Sequence, residues 1–418
     1  MTTHINHTRR LHQQRLMNIT EAIPQDQTDI SFGAFAGEEF QRYAVGHHEI
    51  ARAFGRRGIV LVHNDPNFEA SIDNVYTLAN SGNRNQIYLA NPNGSYNSCY
   101  DPLYGLRAGD VLDAIVPVPA NSYVINDIQS LRSALNDYLH IMQWQFEKNS
   151  APFGAYPYNL DLLIQLVSMP FPELERNVLA FLPASLASMI STRLSAQDIQ
   201  QRVYNAVHSF AQKLSLSLWK RRDASSHSRL SIISSVMNRD MISIYVPSSR
   251  SEILDYLSVE LKALNDQNVP YLLVTSGISI HNSDSFSRLF LDDHLHVNYT
   301  TGILAEDLST VIGDDSPSSK LASVFTQIQE MFVFECASTI SASPFSEGIG
   351  QYYRRLQETS TTTQHAPFHF FASHGYATNQ HEVQQAVINP EELINLGAGC
   401  LLYGKNYSVP VLVSYFTL

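Results

Sequence analysis

The stretch Ser31–Arg42, SFGAFAGEEFQR, places two glycines four residues apart, just ahead of a helix-like run that opens with two glutamates. Glycines in such a place let backbone N–H groups converge on an anion. A phosphate-binding loop of the form G-x-x-x-x-G-K-[ST] uses this for nucleotide phosphates, adding a Lys for the outer phosphates and a hydroxyl for Mg²⁺. Here Gly33 and Gly37 supply the expected flexible turn, but Glu38 and Glu39 stand at or beside the Lys position, and Phe40 or Glu39 takes the hydroxyl slot. A carboxylate in that place repels a triphosphate by roughly a few kcal/mol at partly buried separations of about 4 Å. The same two acids suit the positive end of a helix dipole. Gly33, Gly37, Glu38 and Glu39 therefore read as a degenerate phosphate loop, and no catalytic residue is assigned there.

Other candidates carry less. His365, His369 and His374 lie close together in QHAPFHFFASHG, yet no thiol or carboxylate completes a metal set on a fixed frame. His47-His48-Glu49 and the His294–His296 segment beside Asp292-Asp293 read the same way, so no metal is expected. Cys99, Cys336 and Cys400 are too far apart for a ligand spacing and read as buried thiols. Arg354-Arg355, after Tyr352-Tyr353, has the residue types of an arginine finger, but reads more simply as a basic pair closing a helix.

The elements that must position these residues alternate. Ile59–His63 (IVLVH) is a short apolar run bounded by Gly58 and Asn64-Asp65-Pro66, the pattern of a buried parallel strand. Ile30–Phe32, a loop, a helix over Glu38–Phe54 and this strand make one βαβ unit. A helix over Ile72–Ala79 and a strand at Gln86–Ala90 follow. Further strands are predicted at Met241–Val246, Tyr271–Thr275, Leu295–Tyr299, Met331–Glu335, Cys400–Tyr403 and Val409–Tyr415, with a helix over Ser251–Leu264. This alternation predicts an α/β fold with a mostly parallel sheet. Between the two sets, apolar residues recur at helical spacing, as in Ile128, Leu131, Leu135 and Leu139 or Val203, Val207, Phe210 and Leu214. An all-α domain inserted at residues 119–224 follows, after a polar tail at 1–23 and a first α/β part at 24–118, and before a second α/β part at 225–418. Asp315–Ser319 and Thr359–Gln364 read as loops.

The 418 residues are 44% hydrophobic and 16% charged, enough for a substantial core, and no apolar run approaches the ~20 residues of a membrane helix. The opening residues, MTTHINHTRRLHQQRLMN, lack the apolar centre of a signal peptide, so a cytoplasmic protein is expected. The net charge of −12 argues against a nucleic-acid binder, since phosphate contacts dominate that affinity. Asn121–Ala224 holds 9 Lys/Arg and 8 Asp/Glu; of the chain's 27 and 39, this leaves 18 against 31 for the α/β part. Abundant Tyr and Phe, 21 and 20, suit protein–protein surfaces.

At this point the layout resembles the TraG/TraD-like coupling-protein ATPases of conjugation and type IV secretion. Arg57–Asp65 (RGIVLVHND) resembles that family's second strand, which ends in Asp-Pro-Lys, and Tyr100-Asp101-Pro102-Leu103 resembles its Tyr-Asn-Pro-Leu before the all-α part. Phe332–Glu335 stands in place of its late apolar strand. Ile388-Asn389-Pro390-Glu391-Glu392-Leu393 with Leu396-Gly397 resembles its closing segment. The resemblance runs from about Pro24 to Phe416 and implies a RecA-like, P-loop NTPase-type sheet with an inserted all-α domain. It also implies a strand ending in Asp-Glu to hold Mg²⁺, and a Gln at the end of the next strand. Here Tyr271–Val274 runs into Thr275-Ser276-Gly277, and Asn298-Tyr299-Thr300-Thr301 stands where the sensor belongs. Thr275 and Ser276 are thus a degenerate metal-acid position, and Thr301 a degenerate sensor. Together they imply a pseudo-ATPase with no cofactor, working through a motor or secretion protein partner and recruited by it to a membrane machine. Nucleic acid is not expected as a partner, and an oligomer is compatible. Arg42, Arg56 or a neighbouring subunit as the source of a substitute for the Lys gives the alternative, a weak or unconventional nucleotide-binding enzyme; a nucleic-acid adaptor using the helical part is the other alternative.

Overall fold

A computed structural model describes residues 31–79, 87–90, 99–118, 125–150, 154–213, 229–248, 252–291, 299–313, 324–325, 327–349, 351–364, 373–397, 399–404 and 411–414. β1 (Phe32–Phe35) leads through Ala36–Glu38 into α1 (Glu39–Ala53), then β2 (Gly58–His63), α2 (Pro66–Ala79) and β3 (Ile87–Ala90). After β4 (Cys99–Tyr100) the chain turns helical. It forms α3 (Ala108–Ile115), α4 (Ile125–Lys148), α5 (Leu160–Val167), α6 (Phe171–Asn177), α7 (Ala184–Leu194) and α8 (Gln197–Lys213). Strands return with β5 (Arg229–Leu230), followed by α9 (Ile232–Met237), β6 (Met241–Tyr245), α10 (Glu252–Asp266), β7 (Tyr271–Ser276), α11 (Asp284–Leu291) and β8 (Tyr299–Ala305). The chain continues with α12 (Leu308–Ile312), β9 (Glu330–Val333), α13 (Thr339–Ile349), β10 (Gln351–Gln364), β11 (Ser373–Ala386), α14 (Pro390–Ile394), β12 (Gly399–Gly404) and β13 (Val411–Ser414).

Nine strands form one sheet in the order β13-β12-β9-β1-β8-β7-β2-β6-β3. From β9 to β3 every pairing is parallel, while β12 and β13 add an antiparallel edge. Every residue of β1, β2 and β7 is buried, which is why these strands are apolar on both faces. Alternation divides them between two cores. Phe32, Ala34, Ile59, Leu61, Leu272 and Val274 meet Val45, Ile50 and Phe68 of α1 and α2. On the other face, Phe35, Val60, Val62 and Leu273 belong to a core that continues without a break into Leu135, Leu163 and Val203 of the helical segment. The two connections of that segment lie side by side, since β4 pairs in parallel with β5.

Several expectations are corrected. β1 is Phe32–Phe35, where Ile30–Phe32 was expected (Ile30 lies outside the described residues), so Gly33 lies inside a strand, paired with Ile303 and Met331. A Cβ there would come within 2.4 Å of the Phe35 ring, so this glycine serves packing rather than a loop. β8 is Tyr299–Ala305, where Leu295–Tyr299 was expected; most of the expected span lies outside the described residues. Gly302, inside β8, lets the Phe32 ring close on the sheet: a Cβ would meet that ring at 2.5 Å. Thr359–Gln364, read as a loop, belongs to β10, which pairs with β11 over its whole length in a separate two-stranded sheet. Its β-branched threonines favour extended backbone even where no apolar alternation marks a strand. Arg354-Arg355 is therefore within a strand, not at a helix end. Asp315–Ser319, His294, His296, His365 and His369 lie outside the described residues.

Candidate functional site

In an open parallel sheet, ligands gather at the carboxyl ends of the strands where the chain order reverses direction. β1 is such a place, flanked by β8 and β9. The turn leaving it is short: Ala36 and Gly37 take φ of 60° and 61°, and Glu38 caps α1. A Cβ on Gly37 would lie 2.2 Å from Gln41 Oε1 and 2.5 Å from Phe334 Cβ, so this glycine is required twice, by conformation and by space.

The N–H groups of a phosphate loop must be free to point at the anion. Here they are already used. Ala36 N–H donates to the carbonyls of Ala305 and Glu306 at 3.2 Å each, and Gly37 N–H to that of Glu335 at 3.1 Å. Glu38 N–H donates to Gln41 Oε1 at 2.7 Å. The turn thus splices the ends of β8 and β9 onto β1.

Where a phosphate would need donors, an internal cation sits. Arg42 Nη1 donates to the carbonyls of Ala36, at 3.0 Å, and Gly37, at 2.7 Å. Burial pulls its pKa below the usual value, opposed by the carboxylates of Glu306, Glu39, Asp65 and Glu38. Asp65, after β2, accepts N–H bonds from Asn67, at 2.9 Å, and Phe68, at 3.3 Å, as well as the hydroxyl of Tyr43. Its carboxyl is pushed up mainly by burial, with a smaller push from Glu39, which also shares a hydrogen bond with it. The rim therefore sets one guanidinium among four carboxyl groups, an unfavourable place for a polyphosphate.

The neighbouring strand ends carry no replacement chemistry. Thr275 and Ser276 are the last two residues of β7, both buried, and the Thr275 hydroxyl donates to Gly302 O at 3.4 Å. Gly277, at φ 67°, follows beneath Asn64. Thr301 is not at a strand end: it lies opposite Leu273 inside β8, and its N–H donates to Ser31 Oγ at 3.1 Å. The residues that do follow β8 are Glu306 and Asp307, the second of which caps α12 through Ser309 N–H. Sequence reasoning missed Glu306 because it placed β8 too early. Arg56 lies beyond the far end of α1, a helix rising about 1.5 Å per residue over its 15 residues, and so faces the opposite edge of the sheet.

Among the described residues no cluster of three His, Cys, Asp or Glu could hold a metal. His374 lies in β11, and the thiols of Cys336 and Cys400, both buried, are pushed up to about 12 by burial. Asp101 is a joint: its carboxylate accepts from Leu103 N–H at 3.1 Å and from Leu160 N–H at 3.1 and 3.2 Å, tying the β4–β5 clasp to the start of α5. Beside it, Glu260 accepts from Tyr100 Oη and from the N–H groups of Ile232, at 2.8 Å, and Ile233, at 3.4 Å.

By sequence, no protein family and no curated protein matches the chain. By structure, it is similar to the bacterial conjugative coupling protein TrwB. The trigonal form in complex with sulphate gives a TM-score of 0.51 at 10% identity, covering 98% of this chain and 92% of that one. The plasmid coupling protein TrwB in complex with a non-hydrolysable GTP analogue gives the same values. VirB4 of Thermoanaerobacter pseudethanolicus, 8% identical over 93% of this chain and 89% of that one, has a TM-score of 0.43, too low to bear on the fold. The chain has the fold of the conjugative coupling proteins, a mostly parallel α/β sheet of the P-loop NTPase type.

Proposed function

We propose that the chain is a coupling-protein-like component of a conjugation or secretion machine whose nucleotide site has become a structural turn, and that it acts through protein contacts without hydrolysing ATP. One observation carries this reading: the Ala36, Gly37 and Glu38 N–H groups are spent on neighbouring strands and on Gln41, while Arg42 is held on the loop carbonyls. TrwB binds a GTP analogue; a triphosphate entering this edge would have to displace those bonds and face Glu38, Glu39, Asp65 and Glu306. In this reading residues 24–118 and 225–418 form the body, and the near-neutral helical segment at 119–224 is an inserted domain that offers the docking face. The protein works in the cytoplasm, drawn to its machine by the partner.

The test is calorimetric titration with ATP, with and without Mg²⁺, beside a phosphate-release assay. No saturable heat and no turnover above blank are expected. Mg²⁺-dependent binding that disappears in Gly37→Arg would overturn the reading. If Arg42→Ala abolished such binding too, Arg42 would be the substitute cation of an unconventional ATPase.

A further inference from the structure

Two large apolar side chains stand exposed at the carboxyl edge of the main sheet. Phe40, the second residue of α1, is 59% exposed, and Ile340, the second residue of α13, is 85% exposed. Their helices leave the edge on opposite faces. α1 sends Val45 and Ile50 into one core, while α13 sends Ala342 and Phe345 into the other, where the Phe345 ring meets that of Phe35 at the end of β1. Between them runs a strip of acid. Ala36 N–H and Gly37 N–H donate to the carbonyls of Glu306 and Glu335 respectively, so these two residues flank the turn, and Glu38 and Glu39 continue it into α1. All four glutamates are exposed, and among the described residues none of them is in an ion pair. Arg42, the cation of this rim, is bonded to the loop carbonyls.

Exposed apolar side chains on either side of unpaired carboxylates suit an occupant that is both cationic and partly apolar. The chain carries such a segment just ahead of β1. Residues 1–30 lie outside the described ones and run into Ser31. From Met1 to Thr20 they hold Arg9, Arg10 and Arg15 and no Asp or Glu, with Leu11, Leu16 and Met17 interleaved, in a chain whose net charge is −12. The reach is sufficient. At about 3.3 Å per residue β1 is roughly 13 Å long, whereas the chain from Arg15 to Ser31 can span roughly 50 Å. Being part of the same chain, the segment also meets the edge at a high local concentration, so surface charge pairs that are individually weak suffice.

We infer that the basic segment Arg9–Met17 docks on the carboxyl edge of its own sheet, its arginines on the glutamate strip and its apolar residues against Phe40 and Ile340. This rests on the reading that the edge takes no nucleotide.

The full chain with a photoreactive benzoylphenylalanine in place of Leu16 should cross-link on irradiation to residues 38–41 or 335–341 of the same molecule, mapped by mass spectrometry. Trypsin should cut after Arg9, Arg10 and Arg15 about tenfold faster in Glu306→Lys with Glu335→Lys than in the native chain, with the circular-dichroism spectrum unchanged. Phe40→Ser with Ile340→Ser, which adds no charge, should also speed cutting. Adding Arg9→Glu, Arg10→Glu and Arg15→Glu to the two lysine substitutions should recover the cross-link that those substitutions abolish. Cross-links that fall elsewhere, or only between two copies, would overturn the inference, as would equal tryptic rates in the native chain and both variants. If the calorimetric titration finds ATP at this edge, both readings fall; if it finds none and the tryptic rates are equal, only this one does.

Discussion

Gly37 and Arg42 act on one turn from two sides. Gly37 is the residue whose φ of 61° and whose missing Cβ let the chain pass between Gln41 and Phe334. Gly37→Ala is therefore expected to lower stability by about 2 kcal/mol or more in chemical denaturation. Gly109→Ala is the control: Gly109 lies in α3, and a methyl group added there would meet nothing within 4 Å, so the change should be neutral or stabilising by up to about 1 kcal/mol. Arg42→Met keeps the stem but leaves the Ala36 and Gly37 carbonyls without this donor and Glu306, Glu39, Asp65 and Glu38 without their cation. A loss of about 1–3 kcal/mol is expected at pH 7, smaller near pH 4, where Asp65, whose carboxyl burial pushes up, takes a proton, and with no gain of nucleotide binding. An equal loss at both pH values would show that the guanidinium matters only as a hydrogen-bond donor.

At the scale of elements, what was legible followed from burial. Strands buried on both faces are short apolar runs, so β2, β6, β7 and β12 stood out in the sequence to within a residue or two. β8 did not, because YTTGILA opens with polar threonines and contains a glycine whose purpose, room for Phe32, exists only in three dimensions. The β10–β11 ribbon was invisible for a related reason: with no apolar face it carries no period-2 signal, only threonine-rich polarity. At the candidate site, the loss of the Lys could be read directly, but the N–H groups that the strand ends consume could not. The helical segment shows what pattern alone leaves out. Its core is continuous with the sheet's, and a buried carboxylate, Asp101, ties the two together by holding both Leu103 and Leu160. Asp101→Ala should cost about 2–4 kcal/mol, since it leaves buried N–H groups unpaired at the joint. Hydrogen exchange should rise first at the N-terminal turn of α5; a uniform rise across the chain would mean that Asp101 does not act as a joint.

For the molecule as a whole, the described helices include none long and apolar enough to cross a membrane, and the chain carries a net −12. That charge should keep DNA affinity weaker than micromolar even at low salt, where electrostatic binding is strongest; tight binding with a steep salt slope would favour a nucleic-acid adaptor. The acidity has a second consequence, because some of it is buried. Burial raises Glu260, held by Tyr100 and the start of α9, to about 8, despite its three donors. It raises Glu330, in β9, to about 7, with Glu49 adding to the shift and Arg52 and His48 opposing it. Both groups hold a proton in the folded chain at pH values where the unfolded chain has released it. The folded state then binds more protons, so stability falls as pH rises from the ordinary carboxylate range, near 4.5, through 7 and 8. The change is on the order of a few kcal/mol. Glu260→Gln suits the site, because its carbonyl can still accept from Ile232 and Ile233 while its amide donates to the Tyr100 oxygen. Together with Glu330→Gln it removes both proton linkages. The unfolding midpoint of this double variant, measured against the native chain from pH 5 to pH 8.5, should rise steadily relative to native as pH increases. A constant difference between the two curves would show that neither carboxyl is protonated in the native fold.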